Sequence, residues 1–430
     1  MGGAQQNAHT TGNPKLIRLE PFTDGFWGRR VADHPHILVL PTWYPNSRRP
    51  DYAVFFRVQT KALQRAGATV GVIFPELREI TDFGGLKSAS RNHFQIEHES
   101  PDGYPVLRWH GWRIPKLHDI SARIFLNAAQ RLYQAYIAKY GRPDIILAHT
   151  AINAGWAAKE IAKSEGIPFV VVEHSTHFAR GFYSAADLDR ASQTFHAAKA
   201  VYAVSEPFSS LLSDRFGVTV KYAPNAIDTA FFAPDGHRLP FNFDRPARLG
   251  FVGTMDSKKG VDVLIRAVAQ LDLSHGLELR LIGEGASQNS YRALAEELGI
   301  GAKVTFLGHA RQTQVRDLML WSDIFALPSR FETFGVVLIE ALATGTTVIA
   351  TRSGGPESIV TEPFLGQLVA AEDSTALAVA IKEELQNLVD APTDLPKRRN
   401  AHIAERFGSD SRARAFLSGL KPYILKGSSS

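Results

Sequence analysis

The stretch at residues 328–355, PSRFETFGVVLIEALATGTTVIATRSGG, decides the fold. The apolar run DIFALPS leads into it and ends at Ser329, which predicts a buried strand. Helical spacing then predicts a helix that begins near Phe334 and ends at Gly345, a residue that suits a helix C-terminus. The run TTVIAT follows at once and predicts a second strand. A strand, loop, helix and strand in this order are typical of a parallel α/β sheet.

Glu340 is the least expected residue in this helix, because its neighbours on every side are apolar. A helix that is apolar all round is a buried helix, and a buried carboxylate without a partner is costly. Either a buried salt bridge or a ligand with two hydroxyl groups would satisfy it. Gly335 lies in the first turn, where free N–H groups admit a close anion. Glu332 precedes that turn and is either a second acceptor for the same ligand or a solvated loop residue.

The motif E-x-F-G-x-x-x-x-E is formed by Glu332, Phe334, Gly335 and Glu340. It resembles the signature of the retaining family 4 glycosyltransferases, and the run at residues 341–355 fits the same family. The resemblance extends from about residue 36 to about residue 421. It implies an α/β fold of the GT-B type, in which two Rossmann-like domains face each other across a cleft.

Composition agrees with two ordinary globular domains. The chain has 430 residues, which is more than one core usually holds, and 44% of them are hydrophobic. It has no cysteine, so disulfides and thiolate metal sites are excluded, and a reducing cytoplasm is allowed. The net charge of +5 favours anionic surfaces or ligands, although a solvated basic face is the commoner meaning. We expect no nucleic-acid partner.

The order of predicted elements divides the chain into five parts. Residues 1–34 are polar and predict an arm that is neither a signal peptide nor a transit peptide. Residues 35–228 predict a Rossmann-like domain on the acceptor side, and residues 229–246, rich in Pro, Asp, Asn and Phe, predict a linker. Residues 247–408 predict a second Rossmann-like domain, for the nucleotide sugar. Residues 409–425 predict a helix that crosses back to the first domain, as in relatives.

Two stretches of the first domain have no clear strand pattern. Residues 75–104 are polar, and we expect irregular structure there. A helix is predicted from Ile120 to about Tyr140, in a stretch that mixes basic, aromatic and apolar residues. In the family this region often lies on the acceptor side and contacts membrane, whereas a plain amphipathic core helix is the alternative.

The loop after the first strand resembles the family's segment W-Y-P…G-x-F-x-x-x-Q through Trp43, Tyr44 and Pro45, followed by Phe55 and Gln59. The resemblance places Trp43, Tyr44, Ala53 and Arg57 on the acceptor side. Alanine stands at position 53 where the family usually has glycine, and alanine resists a positive φ angle. We therefore expect this loop to sit differently here. Its surroundings are basic, which suits a phosphate-bearing acceptor or an anionic membrane, or else a solvated face.

The second domain carries the predicted donor loops. A strand ends at Gly253, and Lys259 precedes a helix whose N-terminus attracts anions. This loop resembles the family's diphosphate loop, except that Thr254 stands where the family has arginine. Either Arg330 or a basic residue of the other domain compensates, or diphosphate binding is weaker. Glu284 matches a family position near the nucleoside.

Two buried strands of the first domain end in His149 and His174, on the side where ligands bind in parallel sheets. The resemblance places His174 near the transferred sugar, and a hydrogen-bonded core histidine is the alternative. His174 and His177 could pair on a metal, but no further ligand completes a recognisable pattern.

The resemblance assigns the donor, a nucleotide-diphosphate sugar, to the second domain. Glu340 would accept from the ribose hydroxyls, and Phe334 would be a further donor-binding residue. The N–H groups of Gly335 and Val336, together with Lys259, would bind the diphosphate. A helix dipole and a lysine can stabilise a leaving diphosphate, so we expect no essential metal and no cofactor.

Glu332 and His174 would be the catalytic residues, with Glu332 orienting the sugar. No residue stands out as a covalent nucleophile, which fits attack from the same face and retention of configuration. The acceptor would be a glycan or glycolipid of a surface polysaccharide. A nucleotide-sugar epimerase and a non-catalytic nucleotide-sugar-binding scaffold remain alternatives. We expect a cytoplasmic protein, with peripheral contact at the inner face of the membrane as a further possibility.

Overall fold

The computed structural model describes residues 34–46, 50, 52–78, 94–113, 117–236 and 241–424. Two α/β domains are present, each built on a mainly parallel sheet with helices packed against it. The predicted fold class is confirmed. The predicted arm at residues 1–34 lies outside the described residues, apart from His34.

The first domain is built on eight strands in the order β3-β4-β2-β1-β5-β6-β7-β8. They are β1 (His36–Pro41), β2 (Thr69–Arg78), β3 (Ile96–Glu99), β4 (Val106–Trp112), β5 (Ile145–His149), β6 (Phe169–Glu173), β7 (Ala200–Ala203) and β8 (Val220–Tyr222). All pairs are parallel except β3 with β4, which is antiparallel at the sheet edge. The described helices are α1 (Val54–Arg65), α2 (His118–Tyr140), α3 (Trp156–Glu165), α4 (His177–Arg180), α5 (Ala185–Ala197) and α6 (Glu206–Phe216).

The second domain has a fully parallel sheet in the order β11-β10-β9-β12-β13-β14. Its strands are β9 (Ala247–Val252), β10 (Leu277–Ile282), β11 (Val304–Gly308), β12 (Ile324–Leu327), β13 (Thr347–Thr351) and β14 (Gly366–Val369). Its helices are α7 (Val261–Ala269), α8 (Gln288–Glu297), α9 (Gln312–Trp321), α10 (Val336–Ala343), α11 (Ser374–Val389) and α12 (Leu395–Phe407). A last helix, α13 (Ser409–Leu420), follows at once.

The central strands form because their sequences are apolar on both faces. Every residue of β5, β6, β12 and β13 is buried. Helices cover both faces of such a sheet, so its strands have continuous apolar runs and not an alternating pattern. The carboxyl ends of these four strands carry the polar residues that form the site.

Three sequence predictions differ from the structure. Residues 75–104 are not irregular throughout, because β2 continues to Arg78 and β3 forms an edge hairpin with β4. The sequence pattern did not indicate these strands because they are rich in polar residues. One face of each strand carries charged side chains that pair with one another. The helix predicted near Phe334 begins at Val336, because Gly335 turns the chain with a φ of 94°. The sequence also predicts a further helix that begins within residues 356–360, and the structure has a single 3₁₀ turn there, Pro356–Ser358.

The helix α13 packs on the first domain and not on the sheet of the second. Arg65 of α1 donates to Asp410 at 2.6 and 2.9 Å. At the hinge, the Ile227 N–H donates to the Phe407 carbonyl (3.0 Å), and the Ser409 N–H donates to the Ile227 carbonyl (2.9 Å). The chain therefore crosses between the two domains twice, near Ile227 and near Ser409. No helix among the described residues has the length and apolar character that a membrane span requires.

Candidate functional site

The site lies where the carboxyl ends of the two sheets approach each other. The Thr333 hydroxyl, on the loop before α10, donates to the carbonyl of His174, after β6, at 2.9 Å. Parallel sheets bind ligands at this end of their strands. The two loops that the sequence singled out in different domains are therefore in direct contact.

The N-terminus of α10 is built by glycine. Gly335 has a φ of 94° and caps the helix in the left-handed conformation, which only glycine adopts without strain. The N–H groups of Val336 and Val337 have no acceptor within the helix, whereas that of Leu338 donates to the Gly335 carbonyl at 2.9 Å. Phe334, beside them, is buried edge-on against Phe407 and fixes the start of the helix. The turn thus presents backbone donors to the cleft.

Glu340 lies one turn further along α10, with only 7% of its surface exposed. Among the described residues, none donates a hydrogen bond or forms an ion pair with its carboxylate, so the predicted alternative of a buried salt bridge is wrong. Burial alone raises the pKa of Glu340 to about 7. A buried carboxylate without donors is costly, and two hydroxyl groups of a ligand would supply what it lacks.

Lys259 and Glu332 form an ion pair at the mouth of the cleft. The Lys259 Nζ lies 2.5 Å from the Glu332 Oε2, and both side chains are largely buried. Gly260 makes this approach possible, because a Cβ at that position would lie 2.0 Å from the Pro328 carbonyl oxygen. The sequence assigned the lysine to a diphosphate and the glutamate to a sugar; here each partners the other.

Arg330 is bonded to the backbone of the diphosphate loop, since its guanidinium donates to the Ser257 carbonyl at 2.5 Å and its N–H to the Lys258 carbonyl at 2.7 Å. Its guanidinium donates to both Asp262 oxygens at 3.0 and 2.8 Å, and to Glu372 at 3.1 Å. These hydrogen bonds, above all to Asp262, raise the pKa of Arg330. The guanidinium is thus held beside the diphosphate loop by acids of its own domain, and its role as a substitute for the missing arginine at position 254 stays a prediction.

The remaining donor-side residues bond locally. The Thr254 hydroxyl donates to Asp256 at 2.7 Å, and Glu284 accepts from the His309 N–H at 3.3 Å. The Met255 N–H donates to the Glu284 carbonyl (2.9 Å), which ties the loop after β9, beginning at Gly253, to the loop after β10. The two loops form one wall of the cleft in the second domain.

His174 faces this wall from the first domain. Its Nε2 lies 3.0 Å from the Nδ1 of His149, and its own Nδ1 is buried without a hydrogen-bond partner among the described residues. The rings of Phe55 and Phe56 pack against it. Burial lowers the pKa of both histidines, that of His149 to about 3, so both rings are neutral. His174 is hydrogen-bonded in the core through its Nε2, and a side-chain hydrogen bond with Asn225 acts on its pKa in the direction opposite to burial. Its contact with a sugar stays a prediction.

Glu173, the residue before His174, was not singled out by sequence. It is fully buried, and burial raises its pKa to about 7, while three hydrogen bonds act in the opposite direction. Its carboxylate accepts from the N–H groups of Ala151 (2.7 Å), His174 (2.9 Å) and Ser175 (2.8 Å). It therefore holds together the turns that follow β5 and β6. The signal was present in the sequence, since an acid at the end of an apolar strand is as unexpected as Glu340 in its helix.

The acceptor-side loop is held by its own contacts. Ala53 caps α1 with a φ of 53°, so the expectation that alanine would avoid this conformation is wrong. The Tyr44 hydroxyl lies 2.8 Å from that of Tyr104, and the Arg57 Nη2 donates to Asp102 at 2.9 Å. Trp43, beside Tyr44, is half-buried against the core.

The structure therefore joins some predicted residues and separates others. The α10 turn, Lys259, Glu332 and His174 meet at one cleft, whereas Tyr44 and Arg57 form a separate cluster beside α1. Such a cleft offers backbone N–H groups and a lysine to an anion, and buried carboxylates to hydroxyl groups. This arrangement suits a ligand that carries both phosphate and sugar.

Comparison with known proteins identifies the two halves of this cleft. Residues 53–231 match the family described as Glycosyltransferase Family 4, and residues 238–401 match Glycosyl transferases group 1. TuaC of Bacillus subtilis (strain 168), a glycosyltransferase named for teichuronic acid biosynthesis, is 28% identical over 80% of this chain and 88% of its own.

Solved structures show the same fold. Sucrose-phosphate synthase from Thermosynechococcus elongatus superposes with a TM-score of 0.70 at 22% identity, over 90% of this chain and 98% of its own. HepE of Anabaena, solved with UDP and glucose, superposes with a TM-score of 0.67 at 20% identity, over 90% of this chain and 100% of its own. Because the two family matches together span both domains, the chain belongs to the group 1 glycosyl transferases and is a glycosyltransferase of family 4.

Proposed function

We propose that this enzyme moves a sugar from a nucleoside-diphosphate sugar to a glycan or glycolipid acceptor, with retention of anomeric configuration. The observation that carries the proposal is Glu340, a buried carboxylate without a donor, one turn from the free N–H groups of α10. A nucleotide whose ribose and diphosphate lie on these two features would satisfy both. UDP is the first candidate, because HepE was solved with it.

The diphosphate would displace Glu332 from Lys259. A diphosphate at the α10 N-terminus would draw the lysine toward itself, since it carries two negative charges and a carboxylate carries one. Glu332 would then be free to accept from the hydroxyl groups of the sugar. In this way, arrival of the donor exchanges one ion pair for another and turns Glu332 toward the reacting ring.

In the transfer step, the bond from the anomeric carbon to the diphosphate oxygen breaks, and a bond to the acceptor oxygen forms on the same face. The acceptor proton passes to the leaving diphosphate. Charge that develops on the diphosphate would be stabilised by Lys259 and the α10 dipole. His174 would hold the sugar from the other side through its Nδ1. Glu173 is unsuited to a nucleophilic role, because three N–H groups already occupy its oxygens.

Lys259 and the helix N-terminus can carry this charge without a divalent cation, so we propose that transfer does not depend on metal. Transfer from the donor, or its slow hydrolysis, would then continue in the presence of a chelator. Loss of activity with chelator and its recovery with manganese would overturn this part of the proposal.

The direct test of the proposal is donor turnover by His174→Ala and Glu332→Gln. Both variants should lower the rate of transfer or donor hydrolysis by about tenfold or more, since each removes a contact to the transferred sugar. His174→Ala also removes the hydrogen bond to His149 and should lower the melting temperature slightly. Glu383→Gln, the same kind of change at an exposed residue of α11, is a control for non-specific damage to turnover. Unchanged turnover in both variants would contradict the assignment.

A further inference from the structure

The first domain carries an open groove at the edge of its sheet, between the end of β4 and the first half of α2. Most of its lining is aromatic or aliphatic and is formed by Phe94, Trp109, Trp112, Ile124 and Ala128. Two polar residues of α2, Asn127 and Arg131, also line it. Its volume of about 430 Å³ is within the range of ligand pockets. We name it the aromatic groove.

The aromatic surface of this groove is held in place by packing. The ring of Trp109 lies across Gly111, where a Cβ would be only 2.1 Å from the ring. Phe94 packs on the Trp109 ring at 5.6 Å between centroids, and 54% of its own surface stays exposed. An exposed ring that is fixed on a buried one offers a flat apolar face, on which the C–H face of a sugar ring packs. Such faces, accompanied by a few polar groups, are typical of binding sites.

Asn127 and Arg131 supply the polar groups of the aromatic groove. Both are exposed, and neither side chain has a hydrogen bond or an ion pair with another described residue. They lie one helical turn apart, so a rise of 1.5 Å per residue separates them by about 6 Å along α2. The two free polar groups therefore follow the α2 wall of the groove and are not gathered at one point.

This spacing distinguishes between the ligands that an aromatic groove could bind. An alkyl chain would offer no hydrogen-bond partner to the amide of Asn127, whereas a saccharide carries hydroxyl groups along its whole length. The guanidinium of Arg131 has no acid partner among the described residues, and its fork of N–H groups matches a carboxylate. A glycan that contains uronate residues therefore complements both the aromatic faces and the charge.

The aromatic groove lies at the same edge of the sheet as the cleft. β4 is parallel to β2, β1, β5 and β6, so Trp112, at its end, lies at the same sheet edge as His174, which follows β6. Four strand spacings separate β4 from β6, which is roughly 19 Å. Several sugar residues span this distance, so one glycan chain can reach from the groove to the cleft.

From this arrangement we propose that the aromatic groove is a distal subsite for an acidic glycan, which is the acceptor of the transfer. Its sugar rings pack on Phe94 and Trp112, Asn127 bonds a hydroxyl group, and Arg131 pairs with the carboxylate of a uronate residue. The end of the glycan that receives the new sugar lies beside His174. This inference rests on the proposed glycosyl transfer and names its acceptor class, an oligosaccharide of several residues that contains uronic acid.

Calorimetric titration of the full chain with two acidic tetrasaccharides tests this inference. One alternates glucuronate with N-acetylglucosamine, and the other consists of galacturonate. Each is compared with its carboxyl-reduced form, which has the same rings and no negative charge. At least one acidic form should bind about fivefold more tightly than its reduced form, because an exposed ion pair contributes an effect of about this size at most.

Two variants of the groove separate the role of charge from that of stacking. Arg131→Gln should lower the affinity for the acidic form about fivefold and leave that for the reduced form within about twofold, so the preference disappears. Phe94→Ala should weaken both forms about fivefold or more and preserve the preference, because it removes an apolar face and no charge.

Matched controls lie elsewhere on the surface. Arg414→Gln, on α13, and Phe243→Ala, in the segment before β9, remove the same groups at other exposed positions. Both variants should bind each tetrasaccharide within about twofold of the unmodified chain, since they lie outside the groove. The melting temperature of all four variants shows that each of them is folded.

Equal affinity for the acidic and reduced forms would overturn the inference, as would a groove variant that behaves like its matched control. Absence of binding by every tetrasaccharide would overturn it too. If dodecyl phosphate bound in their place and Phe94→Ala abolished its binding, the groove would be a lipid site. Each of these results with UDP binding intact leaves the proposed transfer standing, whereas failure to bind any nucleoside diphosphate would contradict the proposed function itself.

Discussion

Two buried glutamates on opposite sides of the cleft are in contrasting environments. Glu173, in the first domain, accepts three backbone N–H bonds of 2.7–2.9 Å, whereas no described residue donates to Glu340, in the second. Burial raises the pKa of each to about 7. The contrast teaches that burial alone does not distinguish a structural acid from a binding one. Hydrogen-bond partners make the distinction, because an acid satisfied by its own chain stabilises the fold, and an unsatisfied one favours a ligand.

The same contrast holds for the regions around the two residues. In the first domain, the turns after β5 and β6 are tied through Glu173, and His149 holds His174. In the second domain, the N–H groups of Val336 and Val337 and the Glu340 carboxylate have no partner among the described residues, and Lys259 and Glu332 partner each other. We therefore regard the first domain as the preformed side of the site and the second as the side that the donor completes.

The largest effect should be on stability. Glu173→Gln keeps only one acceptor oxygen among three buried N–H groups, and each unpaired group costs about 1–3 kcal/mol. We expect the free energy of unfolding to fall by roughly 2–4 kcal/mol. Glu340→Gln, the matched control, should leave it unchanged or raise it, because a costly buried charge is removed. Chemical denaturation of both variants makes the comparison; equal losses would show that Glu340 is structural too.

The next effect is on donor binding. Glu340→Gln should weaken UDP and UDP-glucose alike, by about tenfold to a hundredfold, since a hydrogen bond to a charged acceptor is worth roughly 1.5–3 kcal/mol. Glu332→Gln should leave UDP unchanged or tighten it, because Lys259 no longer has to leave its partner. The same variant should weaken UDP-glucose relative to UDP. Calorimetric titration separates the roles, and equal weakening of UDP by both variants would refute them.

A smaller effect is expected from pH. With a pKa of about 7, Glu340 is mostly protonated at pH 6 and mostly ionised at pH 8. The ionised form accepts ribose hydroxyls, so UDP should bind about tenfold more weakly at pH 6 than at pH 8. Glu340→Gln controls for the titration of UDP itself and should show a flatter profile. Parallel profiles in the two proteins would contradict the assignment.

The same pKa fixes the direction of a stability change. The pKa of Glu340 is raised above its ordinary 4.5, so the folded chain holds this proton more tightly than the unfolded chain does. The contribution of this proton to the free energy of unfolding is complete below pH 4.5 and is lost as the pH rises through 7. The melting temperature of the unmodified chain should therefore fall relative to that of Glu340→Gln across this window. A difference in melting temperature that does not change with pH would mean that the pKa of Glu340 is the same in the folded and the unfolded chain.

The smallest effect concerns the preformed side. Ala53 holds a φ of 53°, a conformation that costs an L-residue roughly 1–2 kcal/mol relative to glycine. Ala53→Gly relieves this strain but adds freedom to the unfolded chain, so the net gain in stability should be about 1 kcal/mol or less. Thermal unfolding measures it. A clear loss of stability would show that the alanine methyl packs in a way that outweighs the strain.

More of the structure of the second domain than of the first could be predicted from the sequence. The α10 unit was predictable because its strand, helix and strand are local, and because a lone acid in an apolar helix is visible in the sequence. The acid that Lys259 meets was not predictable, since whether the lysine reaches Glu332 or Glu340 depends on where Gly260 lets two distant loops approach.

The first domain depends more on contacts between distant segments. The hydrogen bond of His149 with His174 and the triple acceptor role of Glu173 join turns that are more than twenty residues apart. The edge strand β3 was missed because its charged residues read as loop. The prediction for Ala53 was wrong for another reason. The preference of alanine against a positive φ angle is worth about 1 kcal/mol, and packing overrides a preference of this size.

The most direct measurement tests whether Glu340 accepts hydrogen bonds from the ribose hydroxyls of the donor. The nucleoside diphosphate that most raises the melting temperature in a panel is chosen first, and its 2′,3′-dideoxy analogue is titrated beside it. In the unmodified chain, loss of the two hydroxyls should weaken binding by about tenfold to a hundredfold. In Glu340→Gln the two ligands should bind within a few-fold of each other, because the acceptor of those hydroxyls is impaired. An equal penalty for the dideoxy analogue in both proteins would contradict the placement of the donor on this glutamate.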